Sequence, residues 1–262
     1  MTRPVFLAED LSCVPSSLAV GERATLGGSE GRHAASVRRI GAGEWVDVAD
    51  GRGLRLTCEV VGADKSSLSL VVCEVVQEES PRPEIILVQA LAKGGRDEAA
   101  VEICTEIGID RVIPWASQRA IVQWRGPKAE KGRAKWEGVA RAAAKQSRRA
   151  YVPVVEAVTD SRELASWVRA LTDEAGAAFV CHEEATQSLG AALARVQGDA
   201  TDGSLPARVA LIVGPEGGIG PEETAQLVAA GARTVGLGAN VLRSSTAGAV
   251  ALTLIRAAAG AY

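Results

Sequence analysis

The stretch VALIVGPEGGIGPEE, Val209 to Glu223, constrains the fold of this chain more than any other segment. Val209 to Val213 is an unbroken apolar run, the pattern of a strand covered on both faces in a parallel sheet. Pro221 followed by Glu222 and Glu223 opens a helix, with proline near the first helical position and acids in the first turn. Between strand and helix the chain has to turn sharply. Gly214, Gly217, Gly218 and Gly220 permit positive φ and leave backbone amides uncovered by side chains, so a flat or polar ligand can meet the main chain directly. One helix later, Arg233 to Leu252 reads as a short strand, a loop and a small-residue helix. Two ligand loops at successive strand ends describe one crevice. A dinucleotide fits it poorly: GPEGGIG lacks the G-x-G-x-x-G spacing, Pro215 stiffens the first turn, and Glu216 sets a negative charge where a pyrophosphate belongs.

Upstream, the segment QEESPRPE, Gln77 to Glu84, interrupts the strand patterns on either side and predicts a domain boundary, with domains at residues 1–76 and 84–262 and a linker at 77–83. Before it, Glu44 to Val61 and Ser67 to Val72 alternate apolar and polar residues around a DGRG turn, as antiparallel strands of a small barrel do. Ser29 to Glu44 reads as a helix capped at Ser29 and ending in Arg38 and Arg39. After the boundary, strands at Ile85 to Ala90, Arg111 to Trp115, Val152 to Val158 and Ala177 to Cys181 alternate with helices at Arg96 to Gly108, through the basic segment, and from Ser161. Gln197 to Ala207 reads as a polar loop. The fold class is α/β.

At 262 residues and 47% hydrophobic content the chain can bury a sizeable core. Apolar runs stop well short of the ~20 residues that span a bilayer, and residues 1–11 carry Arg3, Glu9 and Asp10 in place of an apolar signal core, so a cytoplasmic protein is expected. The net charge of −3 hides an asymmetry: Arg119 to Arg149 holds ten basic residues against two acidic ones, a local +8 that leaves −11 for the rest. Trp115, Trp124 and Trp136 lie in or beside that run, and the combination points to a phosphate backbone, the alternative being a solvated helix face. The five cysteines are scattered without a C-x-x-C pair, and His33 and His182 are the only histidines, so neither a disulfide framework nor a metal site is expected. His182, in CHEEA, is open to either a surface loop or a ligand pocket.

GPEGG at Gly214 to Gly218, together with LGANVLRSSTAG at Leu237 to Gly248, resembles the signature loops of the SPOUT methyltransferases and, within them, of the RsmE family. That family methylates nitrogen 3 of a uridine in 16S ribosomal RNA. The resemblance extends through the barrel, which is similar to the family's amino-terminal PUA-like domain, and through Lys135 to Arg149. It implies a trefoil-knotted parallel sheet with helices on both faces, S-adenosylmethionine as cofactor, 16S ribosomal RNA in the small subunit as partner, and a homodimer formed through the carboxyl-terminal domain. The long helix from Thr246 to Ala261, apolar nearly all round, suits burial on more than one face.

Carried onto this chain, the resemblance assigns cofactor binding to Gly214, Pro215, Glu216, Gly217, Gly218, Leu237, Gly238, Val241, Leu242, Thr246 and Ala247. RNA contacts fall to His33, Arg38, Arg39, Arg141, Lys145, Arg148 and Arg149. Arg243 is the catalytic candidate: a fixed guanidinium stabilises the uracil anion at a carbonyl oxygen. Its alternative role is a salt bridge to Glu216. One position departs from the family pattern, since Leu-Arg-x-Glu-Thr-Ala has become Leu242 to Ala247 with Ser245 in place of the glutamate. That change keeps open an RNA-binding assembly factor without catalysis; a second alternative is methylation of a ribose 2′-hydroxyl, as in the SpoU branch, whose Asn-rich or Ser-Leu-Asn-type last motif LRSSTAG does not resemble.

Overall fold

The computed structural model describes residues 3–261. The chain forms two compact units, one of Met1–Ser80 with Arg141–Val152, the other of Pro81–Ala140 with Pro153–Tyr262. In the first unit, β1 (Val5–Leu7), β2 (Arg23–Leu26), β3 (Trp45–Ala49), β4 (Leu54–Ala63) and β5 (Leu68–Gln77) make a curled sheet in the order β1-β3-β4-β5-β2. β1 runs parallel to β3, and the other neighbours are antiparallel. Alternation places Phe6, Leu26, Val46, Leu56, Leu68 and Leu70 in one core. The DGRG turn between β3 and β4 closes because the Asp50 carboxylate accepts the N–H groups of Arg52 and Leu54 at 2.7 and 3.0 Å, while Gly51 and Gly53 take positive φ of 78° and 104°.

The helix expected to be capped by Ser29 is shorter and capped differently. α1 spans Gly28–Arg32 with Gly27 at its N-cap, and the chain continues as a π turn over His33–Val37. The Ser29 hydroxyl instead donates to Asp10 at 2.9 Å, and the same carboxylate accepts the Glu30 N–H at 2.9 Å. These bonds, the Glu30 N–H first and then the Ser29 hydroxyl, hold the Asp10 carboxyl below its ordinary value. The cap therefore comes from a residue remote in sequence.

Residues 141–152, read from sequence as part of the second domain, belong to the first unit. Their main chain pairs with the barrel: Gly53 N–H donates to Ala150 O at 3.1 Å and Val152 N–H to Gly51 O at 3.0 Å. The Tyr151 hydroxyl donates to Glu78 O at 2.9 Å, and Ala150 is buried against Val5 and Ala49.

The second unit alternates strand and helix: β6 (Glu84–Ala90), α2 (Arg96–Ile107), β7 (Arg111–Ala116), α3 (Pro127–Gln146), β8 (Val154–Val155), β9 (Thr159–Asp160), α4 (Ser161–Asp173), β10 (Ala177–Cys181), α5 (Leu189–Asp199), β11 (Arg208–Val213), α6 (Pro221–Ala229), β12 (Arg233–Val235) and α7 (Ser244–Ala258). The division between the units falls inside α3. The sheet is parallel in the order β12-β10-β11-β6-β7-β8, with β9 also beside β7. β6 sends Ile85 and Leu87 into one core and Ile86 and Val88 into the other, which is why its run is continuously apolar.

The strand expected over Val152 to Val158 shrinks to the two residues of β8, bounded on its amino side by Pro153, which has no N–H to give a ladder. α5 escaped the sequence reading and takes in Gln197 to Asp199, which were expected in a loop; the Ser188 hydroxyl starts it by accepting the Ala191 N–H at 3.2 Å. α7 buries Ala247, Gly248, Ala251, Leu252 and Ile255 and leaves Val250 and Leu254 exposed. A Cβ at Gly248 would sit 3.1 Å from Leu87 Cδ1 and 3.2 Å from Cys104 Sγ, so the small residue is what lets α7 lie close to the sheet. No helix among the described residues is long and apolar enough to cross a membrane.

Candidate functional site

The carboxyl ends of β10, β11 and β12 bring three loops around one cavity of about 930 Å³. The loop after β11 follows from its glycines. A Cβ on Gly214 would lie 2.5 Å from Ile219 Cγ1, so the Ile219 side chain packs on bare backbone there. Gly218 adopts φ 71° and donates its N–H to Pro215 O at 2.9 Å, closing a tight turn. Arg119, on the loop after β7, reaches in from the side and donates from Nη1 to Gly217 O at 3.2 Å.

Glu216 faces a partner other than the one expected. Its carboxylate accepts Arg96 Nη1 at 2.6 Å and the Lys93 N–H at 3.3 Å. Partial burial works against its charge, but its own backbone N–H, Arg96 and Lys93 outweigh that and hold its carboxyl below the ordinary value. The salt bridge from Arg243 to Glu216 is therefore not made. Arg243 stands at the N-cap of α7, where its carbonyl accepts the N–H groups of Thr246 and Ala247, both at 2.9 Å. Its guanidinium is exposed at the cavity and has no ion-pair or hydrogen-bond partner among the described residues.

Of the cofactor residues expected from sequence, Gly214, Pro215, Glu216, Gly218, Leu237, Gly238, Val241, Leu242 and Ala247 line the cavity. Gly217 and Thr246 do not. Gly217 turns toward Arg119, and the exposed Thr246 donates its hydroxyl to Arg243 O at 3.1 Å.

The walls also hold Arg96, Arg119, His182, Thr224, Asn240 and Ser244. Arg119 carried a sequence signal from the basic run, His182 from CHEEA, and Asn240 and Ser244 from the LGANVLRSSTAG loop, whereas Arg96 and Thr224 carried none. His182 lies in the pocket, with Nδ1 accepting the Glu184 N–H at 3.2 Å. Burial pushes the neighbouring Cys181 thiol up to about 12, so it forms apolar wall. Ser244 Oγ and Thr224 Oγ1 are buried without a partner, two polar atoms of the cavity wall that a ligand can satisfy.

In the first unit, Arg38 and Arg39 are exposed beyond the π turn, and Arg148 is exposed with its carbonyl accepting Arg55 Nη2 at 3.0 Å. His33 meets Phe6 edge-on, ring centroids 6.3 Å apart. Arg141 pairs with Glu9, and Lys145 with Glu30 at 2.5 Å. Arg149 is half-buried. In the second unit Arg133 pairs with Glu137 and Lys135 with Glu98. Much of the +8 run is therefore already paired within its own unit, which sequence proximity alone did not reveal. No group of three or more histidine, cysteine or carboxylate side chains among the described residues is arranged to hold a metal.

Residues 78–256 match the model of an RNA methyltransferase domain, and residues 26–73 that of an RNA methyltransferase PUA domain. A ribosomal RNA small subunit methyltransferase E of Mycobacterium bovis is 43% identical over 232 residues, 88% of this chain and 85% of its own length. The protein of the same name from Bacillus subtilis is 29% identical over 87% of each chain. A crystal structure of a ribosomal RNA small subunit methyltransferase E from Neisseria gonorrhoeae, bound to S-adenosyl methionine, superposes with a TM-score of 0.80 at 25% identity, covering 98% of both chains.

Proposed function

We propose, from the premise that this chain belongs to the ribosomal RNA small subunit methyltransferase E family, that it methylates nitrogen 3 of a uridine in 16S ribosomal RNA with S-adenosylmethionine as methyl donor. The observation that carries the reading is the convergence of two glycine-bearing loops on one cavity, with bare main chain and two unpaired hydroxyls in its wall. Those features fit the cofactor. Gly214–Gly218 and Leu237–Leu242 offer backbone groups for a base and ribose, and Leu237, Leu242 and Ala247 offer apolar surface for a flat ring. When bound, S-adenosylmethionine supplies an electrophilic methyl on a sulfonium.

The chain itself has to hold the uridine in line and ease the loss of its weakly acidic imide proton. Arg243 suits the second of these roles, because a guanidinium fixed at the start of α7 and free of a carboxylate partner favours the uracil anion at a carbonyl oxygen. Cys181, its thiol pushed up to about 12 by burial, does not act as a base. The barrel unit, with Arg38, Arg39 and Arg148 exposed, is suited to the RNA backbone. In this reading the protein works in the cytoplasm on the small ribosomal subunit.

The test is mass spectrometry of nucleosides from 16S ribosomal RNA of cells with and without the protein. N3-methyluridine that disappears with the protein is the expected result. Loss of a ribose-methylated nucleoside instead would replace the reading with 2′-O-methylation, and an unchanged profile with retained RNA binding would leave a noncatalytic assembly factor.

The protein is also proposed to be a homodimer. Val250 and Leu254, one helical turn apart, give α7 an exposed apolar stripe at 36% and 39% exposure. Light scattering at micromolar concentration is expected to give twice the chain mass; the mass of one chain would refute the dimer.

A further inference from the structure

We infer that Glu223 is a positioning residue of this cavity, its carboxylate tying the glycine loop and the Gln118–Arg119 segment to one point. The inference rests on the proposed cofactor reading. Glu223 is the third residue of α6 and has 0% exposure. A carboxylate removed from water this completely persists only where donors replace the lost hydration. Here three converge. Gly220 N–H, the last residue of the glycine loop, donates to Oε2 at 3.2 Å. Gln118 N–H donates to Oε1 at 2.8 Å. The Ser161 hydroxyl also donates to Oε1, and its oxygen accepts the Trp115 indole N–H at 3.1 Å.

No lysine or arginine pairs with Glu223 among the described residues. Its counter-charge is the amino end of α6, where the free N–H groups of the first turn favour an anion. The consequence lies in what the three donors belong to. Gly220 terminates the loop whose bare backbone faces the cavity, and Gln118 precedes Arg119, whose Nη1 donates to Gly217 O. Both attachments of the loop therefore lead to one carboxylate. Ser161 begins α4, so the anchor is fixed to a third element and cannot drift with the loop.

Glutamine at this position keeps the shape and one acceptor oxygen but presents an NH2 group to the backbone N–H of Gly220 or of Gln118, neither of which can accept it, while the Ser161 hydroxyl can turn to do so. Either the Gly220 N–H or the Gln118 N–H then faces a donor, and the loop loses one attachment. The experiment is calorimetric titration of S-adenosylmethionine into the full chain and its Glu223→Gln variant, with amide hydrogen exchange on the same samples. The variant is expected to bind about ten-fold more weakly or worse, to recover turnover as cofactor concentration is raised, and to exchange faster only at residues 117–119 and 214–220. Affinity within about two-fold of the parent would overturn the inference, as would faster exchange spread evenly through the unit, the result of a merely structural role.

Should Glu223→Gln fail to fold, Ser161→Ala removes a single donor. It is expected to weaken binding about three-fold, and unchanged affinity there would equally overturn the inference. A parent protein that does not bind the cofactor at all would overturn the functional reading beneath it, and that result is read before any variant is compared.

Discussion

Arg243→Ala is expected to slow methyl transfer by about 10²–10³-fold, the usual cost of removing one preorganised donor to a developing anion. RNA and cofactor affinity should change little, because a contact made chiefly to the uracil anion contributes to the transition state more than to the ground state. The structure strengthens the case in one respect. Arg96 takes Glu216, so the guanidinium of Arg243 is not neutralised within the cavity. The substitution should also leave the fold intact, since Arg243 supports α7 through its carbonyl and not its side chain.

The converse variant neutralises Arg38, Arg39 and Arg148 together. It should weaken RNA binding and flatten its salt dependence, because fewer counterions are released, while cofactor affinity stays put. These three are cleaner targets than Arg141 and Lys145, whose loss strands Glu9 and Glu30. Single-turnover kinetics on ribosomal subunits, with filter binding across a salt series, separates the two. Full turnover by Arg243→Ala would refute the electrostatic role proposed for its guanidinium.

The second large effect concerns the cavity itself. Ala247→Phe should weaken S-adenosylmethionine binding by at least about a hundred-fold, since a ring added to a 7% exposed wall residue at the start of α7 takes up space the ligand needs. Gly218→Val should also abolish binding, for two reasons at once. The added side chain covers exposed backbone, and φ 71° in a β-branched residue adds strain of about 1–2 kcal/mol. Gly217→Ala is the control: its Cβ would meet Arg119 at 3.5 Å, an ordinary contact, so a folded protein with near-parent affinity is expected. Calorimetry well below the melting temperature, with circular dichroism to establish folding, makes the comparison. Unchanged affinity in a folded Ala247→Phe variant would remove the cofactor from this cavity.

Much of the local structure around the cavity was legible in the chain because it depends on short-range features. A buried apolar run, four glycines and a proline-led helix start dictate a strand, a bare loop and a helix wherever they occur, and β11, the loop and α6 follow that order. The DGRG hairpin and the capping box that starts α4 at Asp160 are local in the same way. Most of the residues expected to bind a cofactor line one cavity because their two loops lie at the ends of strands that pair with a common neighbour, β10.

What sequence could not decide are the long-range partners. Strand order is one: β11 enters between β10 and β6, a choice no local pattern encodes, because each apolar strand would satisfy either neighbour. The charges are another. Glu216 selects Arg96, 120 residues away, over the nearer Arg243, and Lys145 selects Glu30, 115 residues away. The helix cap at α1 comes from Asp10 and not from Ser29 beside it, and residues 141–152 join the barrel through main-chain bonds to Gly51 and Gly53. Glu223 read simply as an acid in a first turn. Only when folding brought Gly220, Gln118 and Ser161 to the same carboxylate did it become the anchor of the site, since a buried charge is stable only where the rest of the chain supplies its hydrogen bonds.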